Sequence, residues 1–239
     1  MRCTRDGGLL SVGIDDTLRL AAPGPEGEAP KYGTEAIPLG SQPKALDHIL
    51  EDGTTIVATV KELIVILDGA KQSHLAINYE PSSIAIDPKS RHVAVGGSDS
   101  KVHIYTLDVR TLTPGVELEH RGPVTHVVFS PHSGFLVACD SNRKVILYST
   151  EDYKPAHNQE WGFHTARVNC VAFSPDSSRV VSGSLDTTLI VWDTNHAAKH
   201  TIIKNAHPQS QITGVCWIDD ETIVSVGQDA NTRVWTVPK

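Results

Sequence analysis

The sequence predicts an all-β protein built from six repeats of a four-stranded sheet. Three observations carry that expectation: a segment pattern recurs about every 43 residues, apolar residues alternate within it, and turn-forming residues punctuate the chain. The 239 residues include 18 Gly, 14 Pro and a single Met, among many short Val/Ile/Thr runs, a usage that favours strands and turns over long helices. A hydrophobic share of 39% with 21% charged residues is too apolar and too weakly charged for a disordered chain, and the length allows a large core. The formal charge of −7 opposes non-specific binding to phosphate backbones, so a nucleic-acid partner is not expected.

The repeat is seen by sliding residues 180–193, VVSGSLDTTLIVWD, along the chain. Related segments are TIVSVGQDANTRVW, HVAVGGSDSKVHIY, FLVACDSNRKVILY and LLSVGIDDTLRLA, with a weaker copy in TIVATVKELIVIL. Each reads as strand, tight turn, strand. The positions equivalent to Trp192 are Ala21, Leu67, Tyr105, Tyr148 and Trp235, separated in chain order by 46, 38, 43, 44 and 43 residues. A further strand precedes most copies (SIAID, VTHVVFS, VNCVAFS, ITGVCWI). This is the pattern of a WD-repeat β-propeller blade, in which stacked sheets bury one another's faces.

A second regularity sharpens the register. His164, Ser182, Asp186 and Trp192 are spaced 18, 4 and 6 apart, and His207, Ser225, Asp229 and Trp235 repeat that spacing. An Asp in the turn can accept from an imidazole N–H, and a Ser hydroxyl and an indole N–H can extend the network, so both sets are expected to be structural tetrads. The same spacing gives His120, Ala138, Asn142 and Tyr148 in the fourth copy and Ile77, Val95, Asp99 and Tyr105 in the third. Partial tetrads are therefore expected from His120, Asn142, Tyr148, Asp99 and Tyr105, and from Ser11 and Asp15 in the first copy. In the second copy the turn position is Lys61, and no network is expected.

Other candidate chemistry has a simpler explanation. His196 and His200 are four apart, but they follow a third strand and are expected in a loop, not on a helix that could hold a metal. Asp219, Asp220 and Glu221 read as a hairpin turn, and Asp15–Asp16 contains a turn residue, not a carboxylate dyad. A His–Ser pair suggests hydrolysis, yet the same spacing in two blades argues for structure. No catalytic residue, metal or cofactor is expected. Trp161 and Phe163 lie outside a blade, where they could contact a partner or pack on the neighbouring blade. Cys139, Cys170 and Cys216 sit in apolar runs and Cys3 does not; none forms a C-x-x-C pair, which suits buried free thiols in a reducing compartment. The longest aliphatic run, residues 63–67, is too short to span a membrane, so a soluble intracellular protein is expected.

The whole chain is expected to be one propeller domain, 1–239. Residues 21–43 should form a Pro/Gly-rich loop hiding a poor strand between Tyr32 and Ile37. The chain opens almost directly on a second strand, residues 9–13, and stops after a third, which suggests part of a longer protein.

The stretches EHRGPVTHVVFSPHSGFLVACDSNRKVILYS, YEPSSIAIDPKSRHVAVGGSDSKVHIYTL and AHPQSQITGVCWIDDETIVSVGQDANTRVWTV resemble the C-terminal half of the actin-interacting protein 1 family. The resemblance implies two seven-bladed propellers in tandem, with this chain as most of the second. It further implies binding to actin filaments together with cofilin, filament severing and disassembly, no enzyme activity, and a cytoplasmic, cytoskeletal, monomeric full-length protein without membrane or nucleic-acid partners. The contacts the family is best known for lie largely in the first propeller, so no partner-binding residue transfers. A generic WD-repeat scaffold in another intracellular complex is the alternative reading.

Overall fold

The computed structural model describes residues 1–25, 31–33, 36–87, 89–158 and 161–237, and every regular element among them is a strand. The first sheet holds β1 (Arg2–Cys3), β2 (Leu9–Val12), β3 (Thr17–Ala22), β4 (Lys31–Tyr32) and β5 (Ile37–Pro38). The second holds β6 (Pro43–His48), β7 (Thr55–Thr59), β8 (Glu62–Leu67) and β9 (Ala70–Ala76), and the third β10 (Pro81–Ile86), β11 (His92–Gly97), β12 (Lys101–Asp108) and β13 (Thr111–Glu119). The fourth has three strands, β14 (Val124–Phe129), β15 (Phe135–Asp140) and β16 (Val145–Ser149). The fifth has β17 (Val168–Phe173), β18 (Arg179–Ser184), β19 (Leu189–Asp193) and β20 (His200–Ile203). The sixth has β21 (Ile212–Trp217), β22 (Thr222–Gly227) and β23 (Thr232–Thr236). These are WD-type blades: successive strands pair antiparallel, as their short connections require.

Two expectations change in detail. The first sheet does not open on its second strand, because Arg2 and Cys3 pair with Leu10 and Leu9. The 21–43 stretch begins inside β3, and its poor strand is two short ones. β4 pairs with Ala21 and Ala22, and β5 with Thr17 and Leu18, while Thr34 and Glu35 lie outside the described residues.

Two compact units divide the chain, Met1–Ser98 with His103–Glu117, and Asp99–Val102 with Leu118–Lys239. In the first unit, Leu10, Leu18, Leu46, Val57 and Ile64 form one apolar cluster, and Ile56, Val65, Ile84, Val93 and Val95 form another. In the second, Val137, Leu147, Val171, Val180 and Trp192 join the fourth and fifth sheets, and Val181, Val191, Ile212 and Ile223 join the fifth and sixth. The period of two in each strand gives a sheet two apolar faces, and those of the fifth sheet are buried by the fourth on one side and the sixth on the other.

Two backbone devices recur. Where the second strand turns into the third, Asp16, Ser100, Arg143, Thr187 and Ala230 all adopt positive φ, between 56° and 70°, each one residue past the turn position identified from the repeat. In the first strands of the second to sixth sheets the pairing slips by one residue, at Pro43/Ala45, Pro81/Ser83, Val124/His126, Val168/Cys170 and Ile212/Gly214. Each slip leaves out a polar residue: Lys44, Ser82, Thr125, Asn169 and Thr213.

The fifth and sixth sheets approach closely at Gly183, where an added Cβ would lie 2.6 Å from Ile212 Cγ2 and 2.9 Å from Cys170 Sγ. Gly183→Ala should therefore lower unfolding stability in urea by about 1–3 kcal/mol through overpacking. A melting curve unchanged from the parent would contradict this sheet-to-sheet contact.

Candidate functional site

The two full sets predicted from spacing are brought together. His164 Nδ1 lies 3.0 Å from Asp186 Oδ2 and its Nε2 2.8 Å from Ser182 Oγ, which also accepts from Trp192 Nε1 at 2.8 Å. In the sixth sheet, His207 Nδ1 lies 2.8 Å from Asp229 Oδ1, its Nε2 2.8 Å from Ser225 Oγ, and Trp235 Nε1 donates to Ser225 Oγ at 2.9 Å. The carboxylate can only accept, so a neutral imidazole carries its proton on Nδ1. Nε2 then accepts from the Ser hydroxyl, whose oxygen receives the indole proton. Both serines and both imidazoles are buried, so neither His–Ser pair meets solvent or substrate.

The partial sets are corrected. In the fourth sheet the acid is Asp140, not Asn142: His120 Nδ1 lies 3.2 Å from Asp140 Oδ2, and Tyr148 Oη lies 3.1 Å from His120 Nε2. Asn142 contributes its backbone N–H, which donates to Asp140 Oδ1 at 2.8 Å. Ala138 leaves no hydroxyl, and the longer phenol of Tyr148 reaches the imidazole directly. Asp140 is at the end of the second strand, two residues before the expected turn position, a place where CDSN offered an acid that spacing alone passed over. In the third sheet Tyr105 is bonded to Tyr79, Oη to Oη at 2.7 Å, and Tyr79 stacks on His103 with ring centroids 3.8 Å apart. Asp99 is exposed at its turn. In the first sheet Asp15 accepts from Thr17 Oγ1 at 2.8 Å and from Arg19 at 2.9 Å, and Ser11 stands opposite Arg19 in the strand pairing.

The second sheet holds its turn by other means. Ser41 Oγ donates to Thr59 Oγ1 at 2.7 Å, and Thr59 Oγ1 also meets the Glu62 carbonyl at 2.9 Å and the Glu62 N–H at 3.1 Å. Thr59, like Asp140, ends its second strand.

The remaining candidates fall into structural roles. His196 follows β19, with Nδ1 3.3 Å from Asp193 Oδ1, whereas His200 opens β20 and faces the Ala198 carbonyl. Asp219 accepts from the Glu221 and Thr222 amides, and Asp220 from the Asp176 amide. Trp161 is buried and stacked on Trp192 at 5.0 Å between centroids, while Phe163 is 47% exposed and stacks on His200 at 4.1 Å. All four thiols are free; Cys139 and Cys170 are buried, and burial pushes the Cys139 thiol up to about 12. Cys216 is exposed, contrary to expectation, because it lies on the outer side of the sixth sheet. Trp235 is only half-buried for a related reason, since its strand β23 has no fourth strand beyond it among the described residues.

Burial alone would raise the Asp186 carboxyl, but hydrogen bonds from His164, Thr188 and the Thr165 amide overcome it and hold it well below its ordinary 3.8. Asp229 is lowered in the same way by His207 and Asn231.

Inspection of the repeats agrees with a match to the family model for the WD domain, G-beta repeat, at residues 111–149, 157–193 and 199–236. The chain is 53% identical to actin-interacting protein 1 of Drosophila melanogaster over 229 residues, covering 96% of this chain and 37% of that protein. It is 40% identical to actin-interacting protein 1 of Caenorhabditis elegans over 240 residues, 100% of this chain and 39% of that protein. It is 32% identical to WD repeat-containing protein 1 of Gallus gallus, over 96% of this chain and 37% of that protein. The chain thus spans less than two fifths of the length of these relatives.

Three outcomes follow from the geometry. Trp192→Ala should cost about 3–5 kcal/mol, and Trp235→Ala, already partly solvated, about half as much, compared by chemical denaturation. Asp140→Ala should cost roughly 1–3 kcal/mol by leaving the buried His120 donor unpaired, whereas Asn142→Ala, which keeps its amide, should be nearly silent in the same assay. Because the folded Asp186 carboxyl is lowered, its contribution is fully present above pH ~4 and is lost as pH falls through the folded value. Asp186→Asn should therefore flatten the acid limb of the stability profile below pH ~4 and leave its slope near neutrality unchanged.

Proposed function

Since the chain belongs to the actin-interacting protein 1 family of WD-repeat proteins, we propose that it is an actin-filament-binding interaction module that works with cofilin to promote filament severing and disassembly in the cytoplasm. The observation that carries this reading is similarity running through nearly the whole chain to proteins named for interaction with actin. In this reading residues 1–239 form one propeller domain, most of the second of two seven-bladed rings in a monomeric longer protein, and the cofilin requirement rests on the family resemblance.

Two physical features support binding over catalysis. The histidines and serines that could pair as base and nucleophile are buried, and their hydrogen-bonding atoms are engaged within their own sheets. The net charge of −7 suits a protein partner better than a phosphate backbone.

The test is cosedimentation of the 239-residue chain with actin filaments, with and without cofilin. The chain should pellet with filaments, and more of it should pellet when cofilin decorates them. A chain that stays in the supernatant under both conditions, while folded by circular dichroism, would overturn the reading for this part of the protein.

A further inference from the structure

At an Asp–Gly junction a polypeptide can rearrange on its own, because the glycine amide nitrogen reaches the aspartyl carboxyl with no Cβ in the way. The chain carries three such junctions, Asp6–Gly7, Asp52–Gly53 and Asp68–Gly69, each in an exposed connection between strands. Ring closure needs a free glycine N–H, a carboxyl able to give up an oxygen as water, and a backbone free to bend.

At two junctions both reacting groups are engaged. The Asp6 carboxylate accepts from Thr4 Oγ1 and from the Gly8 amide, while the Gly7 amide donates to the Thr4 carbonyl at 3.1 Å. The Asp52 carboxylate accepts from Arg91 Nη1 at 2.7 Å and from the Thr54 amide at 2.9 Å, while the Gly53 amide donates to the Ile49 carbonyl at 3.0 Å. The bonds from Thr4 and Gly8 hold the Asp6 carboxyl below its ordinary value. At Asp52 burial acts the other way, and the bonds from Arg91 and Thr54 outweigh it. Both carboxyls are thus kept in the ionised form, which parts with oxygen less readily.

The third junction is open. Asp68 and Gly69 are the two central residues of the β8–β9 hairpin, with φ of 50° and 72° and with Leu67 paired to Ala70. Among the described residues the Asp68 carboxylate accepts no hydrogen bond and the Gly69 amide donates none. Gln72 Nε2 braces the turn through the Ala70 carbonyl at 3.2 Å and leaves the reacting atoms alone.

We propose that Asp68–Gly69 is a site of spontaneous isoaspartate formation. The Gly69 nitrogen bonds to Asp68 Cγ, and one carboxyl oxygen departs as water with its own proton and the amide proton, leaving a cyclic imide. Water then opens the imide at the former main-chain carbonyl, so that the chain runs through Cβ and Cγ and the α-carboxylate becomes the free acid. Only water leaves and enters, the charge is unchanged, and the turn gains a main-chain carbon. A two-residue hairpin has no slack for it, so the change loosens the Leu67–Ala70 pairing and the Lys71 Nζ bond to the Leu39 carbonyl at 3.0 Å. The new carboxylate is an acceptor for an isoaspartate methyltransferase, which moves the methyl group of S-adenosylmethionine onto it and releases S-adenosylhomocysteine. The proposal is independent of actin binding.

The folded 239-residue chain is aged at neutral pH and physiological temperature and digested with trypsin, which puts the junctions in separate peptides, 6–19, 45–61 and 62–71. Isoaspartyl forms keep their mass, separate chromatographically and resist an endoprotease that cuts before aspartate. Peptide 62–71 should convert at least about tenfold faster than either other, because those junctions must first break hydrogen bonds at both reacting groups. Labelled methyl from S-adenosylmethionine should enter the same peptide, and Asp68→Glu should abolish both signals there while leaving the other two peptides unchanged. In the urea-unfolded chain the three rates should converge. Equal rates in the folded chain, or a lead by 6–19 or 45–61, would overturn the proposal. So would a lead by 62–71 that persists undiminished in urea, since flanking residues and not the fold would then be its cause.

Discussion

A β-sheet whose strands alternate apolar residues on both faces cannot bury itself, and nearly everything in this molecule follows from that constraint. The fifth sheet uses one face as the lid of the fourth and offers the other to the sixth. Val180 and Trp192 thus face the fourth sheet while Val181 and Val191, one residue away along the same strands, face the sixth. A one-residue slip in any strand would exchange these two sets, so the register must be held firmly. The hydrogen-bonded hairpins and the bulges are the devices that hold it.

Much of this was legible in the sequence because it is periodic. Five of the six third-strand positions, the turns between second and third strands that go with them and both full tetrads follow from spacing alone, since a repeat fixes which side chains meet without any need to know how sheets are placed. In the second sheet the turn is one residue shorter, so Ile66, not Leu67, stands opposite Thr55 where Trp192 stands opposite Val180. What spacing missed was substitution by geometry. Asp140 replaces an acid expected at Asn142 because a carboxylate at the strand end reaches the same imidazole, and Tyr79 meets Tyr105 where the pattern offered only Ile77 and Val95. Thr59 and Ser41 secure the second turn with hydroxyls that a search for histidine cannot find. Cys216 shows a second limit: an apolar run identifies a strand, but only the number of covered faces decides whether its residues are buried.

The interaction reading draws on the same logic. With the buried polar groups engaged within their own hairpins, the proposed reading leaves recognition to residues that the repeat does not constrain. Phe163, exposed beside a fully engaged network, is such a residue: its neighbour His164 is dictated by the hairpin, while its own ring rests on His200 and faces solvent. Similarity to a longer relative named for interaction with actin runs over 96% of this chain, which is why it carries the functional reading further than the fold does.

The hydrogen bonds from Trp192 to Ser182, from Ser182 to His164 and from His164 to Asp186 run in one direction, each group giving a proton to the next. Such a relay has a grammar. Replacing a single member by a residue of opposite donor sense strands its neighbour, so a sheet that keeps the relay can change only by moves that keep the direction intact. The fourth sheet displays one such move: the serine is dropped, and the tyrosine, which carries its own proton, speaks directly to the imidazole with the arrow unchanged. Drift within this repeat is thus governed less by the resemblance of side chains than by the order in which they give and receive.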